Sequence, residues 1–398
     1  MFVPSSTMAS TRKICEEETV AEIKKNKRAR LMEDRFSDLP EALQLHILAS
    51  LDTKHAVQTS VLSRTWVSLW TRIPVLDFNV YTFNMNLRVF DKFVYNVLRH
   101  RDHSAKLDRL IFSRTGTCSA KILKRVFCYA SLFDVKQLEV YVQDARKYTW
   151  SVCQLGSFHS LTSLKLQSQS AMNCPFLGPI SGSFKNLTVL YLKRALITDS
   201  DSFSGFPVLE SLTLFNCHLC MKSESKTLSI HAFRLSDLTI SSLKTINCCD
   251  LKTPRLRFFD YQGPNFPLLR THEGLPVLET VLIDFHGVCW HKEQQKKMFD
   301  DMLSLFCMLR EVKLLTLFSS VVHLLSLFPD ELVRQTSPFG DLKDLKLDFR
   351  GLHCQNLFGS KLRSSFEFFE VPLDVTSYLL RNSPNAKFTF TYPNGVLR

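Results

Sequence analysis

The residues best equipped for chemistry are cysteines. Cys217 and Cys220 form a CxxC pair, and Cys248 and Cys249 follow downstream. Zinc needs four ligands converging tetrahedrally. The second pair is adjacent rather than spaced, so the pattern reads as buried reduced thiols. The chain's 12 cysteines show no framework spacing, which fits a reducing compartment. Patterns for phosphate binding and nucleophilic catalysis are also missing. There is no Walker loop, GxGxxG, HExxH or GxSxG, and only 12 of 398 residues are glycine. The expectation is a non-catalytic protein with no metal and no cofactor.

With catalysis set aside, the chain must act by binding. Hydrophobic residues make up 45% of it, enough for a sizeable core. The formal charge of +12 favours an acidic partner without choosing among protein, nucleic acid and membrane. No basic, aromatic-interleaved motif supports nucleic acid. Residues 1–9 lack the charged and apolar regions of a secretory signal. The most apolar stretch, Leu314 to Phe328, falls short of the roughly 18 residues a membrane span requires and reads as a buried helix. The expected location is intracellular, in nucleus or cytoplasm or both. Residues 1–33 read as a disordered tail, and the run Lys24 to Arg30 has the compact cationic form of a nuclear-import signal.

The elements that would position binding residues begin at Asp34. Asp38-Leu39-Pro40-Glu41 reads as a helix start, with Asp38 as cap and Pro40 in the first turn. Leu43, Ile47, Leu48 and Leu51 then recur at helical spacing. Asp52-Thr53 breaks and recaps the chain for a second helix carrying Ala56, Val57, Ser60 and Val61. Ser63 can cap a third, with Trp66, Leu69 and Trp70 on one face, before Ile73-Pro74 ends the segment. Three short helices in so few residues expose more apolar surface than they can bury alone, which predicts a partner.

These residues carry a resemblance. The ordered set Asp34 to Glu41, Ile47-Leu48, Ala56-Val57, Ser60 to Arg64, Trp66 and Leu69-Trp70 resembles the plant-type F-box, over about forty residues. Thr65 departs from it, where the family usually has a second basic residue. The resemblance implies docking onto a Skp-family adaptor and, through it, a cullin scaffold. Carried over by position, it makes Leu39 and Pro40 adaptor contacts and Ile47, Leu48, Val61 and Leu62 apolar anchors. Trp66 and Trp70 would serve partly as core and partly as contact. Leu43, Leu51 and Leu69 are expected inside the helical module itself.

Beyond residue 100 a spacing of Leu-x-x-Leu-x-Leu returns. It runs through Leu107-Leu110-Phe112, Val135-Leu138-Val140, Leu161-Leu164-Leu166, Leu187-Leu190-Leu192 and Leu209-Leu212-Leu214. It continues through Leu235-Leu238-Ile240, Leu256-Phe259-Tyr261, Leu278-Val281-Ile283, Leu309-Val312-Leu314 and Leu342-Leu345-Leu347. The interval of 21–33 residues brackets that of leucine-rich repeats. Cys217 completes the signature after Leu214, which gives it a structural role. One such repeat cannot bury its own leucines, whereas a stack forms a parallel ladder and a continuous core. Helices are expected over His291 to Phe306 and Ser319 to Phe328.

The resulting organisation is α/β. A three-helix F-box at 34–80 precedes a curved leucine-rich-repeat solenoid with parallel β-strands at 100–350. A C-terminal cap at 351–398, read as helix, turn and strand, loosely resembles the FBD-like ends of plant F-box proteins. Residues alternating with the leucines should face outward and hold an unknown target protein. Lys165, Gln167, Tyr191, Lys193, Thr213 and Phe215 are the leading candidates, with Thr239, Asp260, Asp284, Lys313, Lys346 and Asp348 further along. The expected role is that of substrate receptor in a cullin-based ubiquitin ligase. The alternative is a leucine-rich scaffold acting outside a ligase, with some affinity for nucleic acid.

Overall fold

The computed structural model describes residues 39–62, 66–144, 158–169, 176–177, 184–197, 203–219, 227–243, 246, 248–263, 268–271, 274–285, 292–349 and 372–391. The N-terminal tail with its basic run, Asp38, Ser63 to Thr65, Cys220 and the first part of the expected cap lie outside them. The chain divides into two compact units, one ending at Ile73 and the other beginning at Pro74.

The first unit is a set of short helical segments: α1 (Glu41–Ala49), α2 (Thr53–Gln58) with a 3-10 turn over Thr59–Val61, and α3 (Trp66–Leu69) with another over Trp70–Arg72. Pro40 occupies the N-cap of α1, where its missing amide costs no helical bond. Asp52 caps α2 as expected, accepting from the His55 amide at 3.1 Å. Leu48, Ala56, Trp66, Leu69 and Ile73 are buried. Gln44 is buried as well, its side-chain amide donating to the Leu39 carbonyl at 2.9 Å and so tying down the chain entry. Arg72 closes the set onto Glu41 at 2.6 Å.

The second unit is organised by one parallel sheet of 12 strands whose spatial order is the chain order. The strands are β1 (Val75–Asn79), β2 (Arg109–Thr117), β3 (Gln137–Asp144), β4 (Ser163–Ser168), β5 (Val189–Lys193) and β6 (Ser211–Phe215). They continue with β7 (Asp237–Ser241), β8 (Phe258–Gly263), β9 (Thr280–Phe285), β10 (Leu314–Phe318), β11 (Asp344–Asp348) and β12 (Lys387–Thr391). The leucines of the triplets align across the ladder: Leu110, Leu138, Leu164, Leu190, Leu212 and Leu238 are successive register partners. All six are at most 1% exposed. Each such side chain contributes about 1.5–3 kcal/mol on burial, and none has a site to bury in without its neighbour.

The ladder begins earlier and ends later than the triplets predicted. Ile73-x-x-Leu76-x-Phe78 is a further triplet, and β1 pairs with β2, so residues 75–79 belong to the sheet. At the far end β12 pairs with β11, so the C-terminal strand extends the same sheet. One triplet is out of register. Val281 pairs with Leu315 and Ile283 with Leu317, so the core set is Val312-Leu315-Leu317, whereas Leu314 is 42% exposed. The Leu314-Leu315 doublet satisfies the spacing in either frame. Leu309 instead belongs to the exit turn of a helix, its amide bonding to the Leu305 and Phe306 carbonyls.

Behind the sheet, short strands at 176–177, 196–197 and 218–219 form one three-stranded ladder, and those at 227–231, 248–252 and 268–271 form another. At the two ends helices take their place: α4 (Leu87–His100) and α5 (Ala120–Leu132) early, then α6 (Lys292–Met308), α7 (Ser319–Ser326), α8 (Pro329–Arg334) and α9 (Leu373–Leu380) late. Phenylalanines three residues before the first leucine fill the space at the strand entries. Phe158, Phe184 and Phe206 stand in consecutive turns with ring centroids 5.3 and 5.6 Å apart. Buried serines fix the end of the chain. The Ser383 hydroxyl donates to the Phe339 carbonyl and accepts from the Leu342 amide, while Ser337 donates to Leu379.

Candidate functional site

Two surfaces carry the residues that sequence reasoning selected. The first lies on the helical unit. Pro40 is exposed and Leu39, Ile47 and Trp70 are partly so. Val61 and Leu62 stand 85% and 70% exposed at the turn after α2. Leu48 and Trp66 do not fit the contact role expected of them. Both are buried, at 0% and 4%, and offer no area to a partner; they hold the segments together. Leu69 is interior as expected, but Leu43 and Leu51 are not. They are 51% and 38% exposed. The cause is the phase of α1, in which Leu48 and Gln44 take the inward positions and leave Pro40, Leu43, Ile47 and Leu51 along the outer side at helical spacing. Val67, 56% exposed, was missed; it sits between the two tryptophans.

An apolar row of this kind on so small a unit is the mark of a surface that another protein covers. The comparisons with known proteins address the same stretch: the F-box domain family matches residues 36–77. The chain carries an F-box domain. Several plant proteins similar to it are named for both an F-box and leucine-rich repeats. A putative F-box/FBD/LRR-repeat protein of Arabidopsis thaliana is 27% identical over 347 residues, covering 80% of this chain and 69% of that protein. A second F-box/FBD/LRR-repeat protein of the same plant is 31% identical over 223 residues, 53% of this chain and 48% of the relative. An F-box/LRR-repeat protein is 29% identical over 238 residues, 58% of this chain and 76% of the relative. The F-box region therefore holds the exposed leucines and valine described above.

The second surface is the face of the sheet opposite the leucines. Register partners form two rows there. Glu139, Lys165, Tyr191, Thr213, Thr239 and Asp260 make one; Tyr141, Gln167, Lys193, Phe215, Ser241 and Gln262 make the other. The six leading candidates are thus neighbours on β4, β5 and β6. Glu139, which sequence reasoning missed, links Arg109 at 2.7 Å to Lys165 at 3.4 Å. It stands between Leu138 and Val140, so the same alternation could have found it. The Lys193 ammonium lies 4.9 Å from the Phe215 ring centroid, a cation–π pair that holds both side chains on the surface. Burial, and then the nearby Cys217, raise the Tyr191 phenol, which stays protonated and available as a donor.

Further along the face the charge reverses. Burial first, and the neighbouring Asp284 next, raise the Asp260 carboxyl, opposed by Gln262 amide bonds at 3.2 and 3.3 Å. Asp348, expected outside, is only 2% exposed and pairs with Lys346 at 3.3 Å. It sits at the strand exit, where Phe349 bonds to Thr391 and the chain leaves the face. Lys313 belongs to the strand-entry row and pairs with Glu279 at 3.3 Å. Cys217 is buried, its thiol donating to the Leu192 carbonyl of the neighbouring strand at 3.4 Å. Among the described residues no cluster of side chains could hold a metal ion, and no helix is long and apolar enough to cross a membrane.

Proposed function

We propose that this protein is a non-catalytic substrate receptor of a Skp-cullin-F-box ubiquitin ligase. The F-box docks onto a Skp-family adaptor, and the repeats, folded as a leucine-rich-repeat solenoid, hold a target protein. The observation that carries the reading is the exposure of Val61, Leu62, Leu43 and Val67 within the matched F-box stretch, apolar area that an adaptor would cover. Their interior neighbours Leu48 and Trp66 present them and make no contact themselves.

On this reading the chain does its work by proximity. One unit is anchored through the adaptor to the cullin, and the other retains the target. A separate ubiquitin-charged enzyme then meets target lysines at raised effective concentration. The target contacts assigned to Lys165, Gln167, Tyr191, Lys193, Thr213 and Phe215 suit a protein surface. They mix charge, amide and aromatic area on rigid strands, where little side-chain entropy is lost on binding. The chemistry stays with the partners.

Affinity purification of the tagged chain from plant cells tests this. The wild type should recover a Skp-family adaptor together with a cullin. Leu39→Ala combined with Pro40→Ala should lose both while still retaining any protein held by the repeats. Recovery of the adaptor by the double variant at wild-type yield would remove the entry segment from the interface. Absence of adaptor and cullin from the wild-type sample would end the receptor reading.

A further inference from the structure

A basic cleft of about 430 Å³ opens at the strand-entry edge of the sheet, away from the face assigned above to the target. Its lining includes Arg234, Arg255 and Arg257 together with Glu210, Ser236 and Val277. The repeat itself assembles it. Leu209, Leu235, Leu256 and Leu278 each stand two residues before one of four successive paired strands, so Arg234, Arg255 and Val277, each one residue earlier, fall in line. Glu210, Ser236, Arg257 and Glu279, each one residue later, form a backbone ladder. Ser236 N donates to Glu210 O at 2.9 Å, Arg257 N to Ser236 O at 2.8 Å and Glu279 N to Arg257 O at 2.9 Å. Neighbouring rungs lie about 4.8 Å apart, so Arg257 is carried on a stiff frame, while Arg234 and Arg255 stand in turns closed by bonds from Leu235 N to Ala232 O and Leu256 N to Thr253 O, both at 3.1 Å.

All three arginines are exposed, and among the described residues none forms an ion pair with a carboxylate. Along the same strand-entry row Lys313 is paired with Glu279 at 3.3 Å. Set against Glu210, three guanidiniums leave the lining with a net charge of three minus one, or +2. Apolar area borders them in the lining, with Val277 41% exposed. Guanidiniums pair with carboxylates in two-pronged hydrogen bonds, and clusters of them read acidic motifs.

We propose that this cleft is a second docking site, which binds a short acidic segment of a partner protein: two Asp or Glu carboxylates beside an apolar side chain that rests on Val277. Two carboxylates spread along the row fit better than one phosphorylated residue, which would concentrate the same charge at a single point beside Glu210. A nucleic-acid backbone fits worse still. It would run on along the strand-entry ladder past Glu210 and Glu279, whose carboxylates repel phosphates. Only in taking the partner for a ligase target does the proposal rest on the function given above. Binding at the cleft needs no adaptor.

The test uses the full chain and a fluorescein-labelled decapeptide rich in Asp and Glu with one Leu, followed by anisotropy. Comparison probes are the same peptide with Asn and Gln in place of the acids, a phosphoserine version and a poly-U oligonucleotide. The acidic peptide should bind, and Arg234→Gln with Arg255→Gln should weaken it on the order of tenfold. A charge-matched control, Lys121→Gln with Lys124→Gln on exposed positions of α5, should leave the affinity unchanged. Unaltered thermal unfolding of the arginine variant secures its folding, and the conservative Arg234→Lys with Arg255→Lys should restore part of the affinity. Equal loss in the lysine control, equal binding of the neutral peptide, or tighter binding of the phosphopeptide or oligonucleotide would each overturn the assignment. Adaptor binding, measured in parallel, should be the same for all variants. A chain that fails with the adaptor but binds the acidic peptide would reject the ligase reading and keep this one.

Discussion

Replacing Val61 and Leu62 together by alanine removes two carbons from one side chain and three from the other. Each buried methylene is worth about 0.8 kcal/mol, giving about 4 kcal/mol if all five carbons go from water into an interface. The two residues are 85% and 70% exposed in the free chain, so roughly three-quarters of that area is still available for burial by a partner. The expected loss is therefore about 3 kcal/mol, or about two orders of magnitude in Kd for a purified Skp-family adaptor. Titration calorimetry reads it directly. Because both side chains are already in water, the unfolding free energy should move by no more than about 0.5 kcal/mol for each. Leu48→Ala provides the opposite signature: a residue with no exposed area should cost about 2–5 kcal/mol of stability, through the cavity it leaves. A Kd change below about threefold for the double variant, with folding intact, would refute the assignment of these side chains to the interface.

Three further outcomes follow from the second unit. Leu315→Ala should destabilise by about 2–5 kcal/mol and Leu314→Ala by less than about 0.5 kcal/mol, because the register buries the first and exposes the second; chemical denaturation of the pair reverses that order if the frame is wrong. Burial lowers the pKa of the half-buried His323, so the unfolded chain takes up its proton first; stability should fall as pH drops below about 6.5, and a His323→Gln variant should show a smaller fall in Tm between pH 7 and 5. Burial pushes the Cys118 thiol up to about 12 and also raises Cys248 and Cys249, whereas Cys128 and Cys307 are exposed. Brief alkylation at pH 8 followed by mass spectrometry should mark Cys128 and Cys307 and spare Cys118, Cys248 and Cys249 until denaturant is added.

Much of the sheet was legible because burial here is periodic in the sequence. Nine of the ten triplets read from it fall in register, since alternation in a strand leaves only one frame with both leucines inside. The tenth failed where two leucines adjoin and both frames satisfy the pattern. Ile73-Leu76-Phe78 escaped notice because a proline and an aspartate interrupt it and it abuts the F-box. Helix α4 was missed although Phe90, Val94 and Val97 recur at helical spacing, because attention to leucine triplets leaves phenylalanine and valine uncounted. The two-residue strands behind the sheet, such as 196–197, have no signal of their own and exist only through their neighbours, whereas Thr227–His231 alternates and was legible in principle.

The exposure of the candidate residues was legible in part. Leu39, Pro40, Val61 and Leu62 fall at exposed or partly exposed positions, but the division between contact and core within α1 depends on a few tens of degrees of helix phase, which sequence spacing alone leaves open. Gln44 is a polar residue that takes an inward place by bonding to a backbone carbonyl, and this shifts Leu43 outward. On the sheet face the rows were correct in direction, since they follow from the leucines. Asp348 failed because it lies at the last position of its strand, where alternation has already ended.

The most direct measurement is the mass of the complex formed when the purified chain is mixed with a purified Skp-family adaptor, by size-exclusion chromatography with light scattering. The account predicts a single species at the sum of the two masses, with the Val61→Ala, Leu62→Ala variant eluting apart from the adaptor. Two separate peaks for the folded wild type would contradict it.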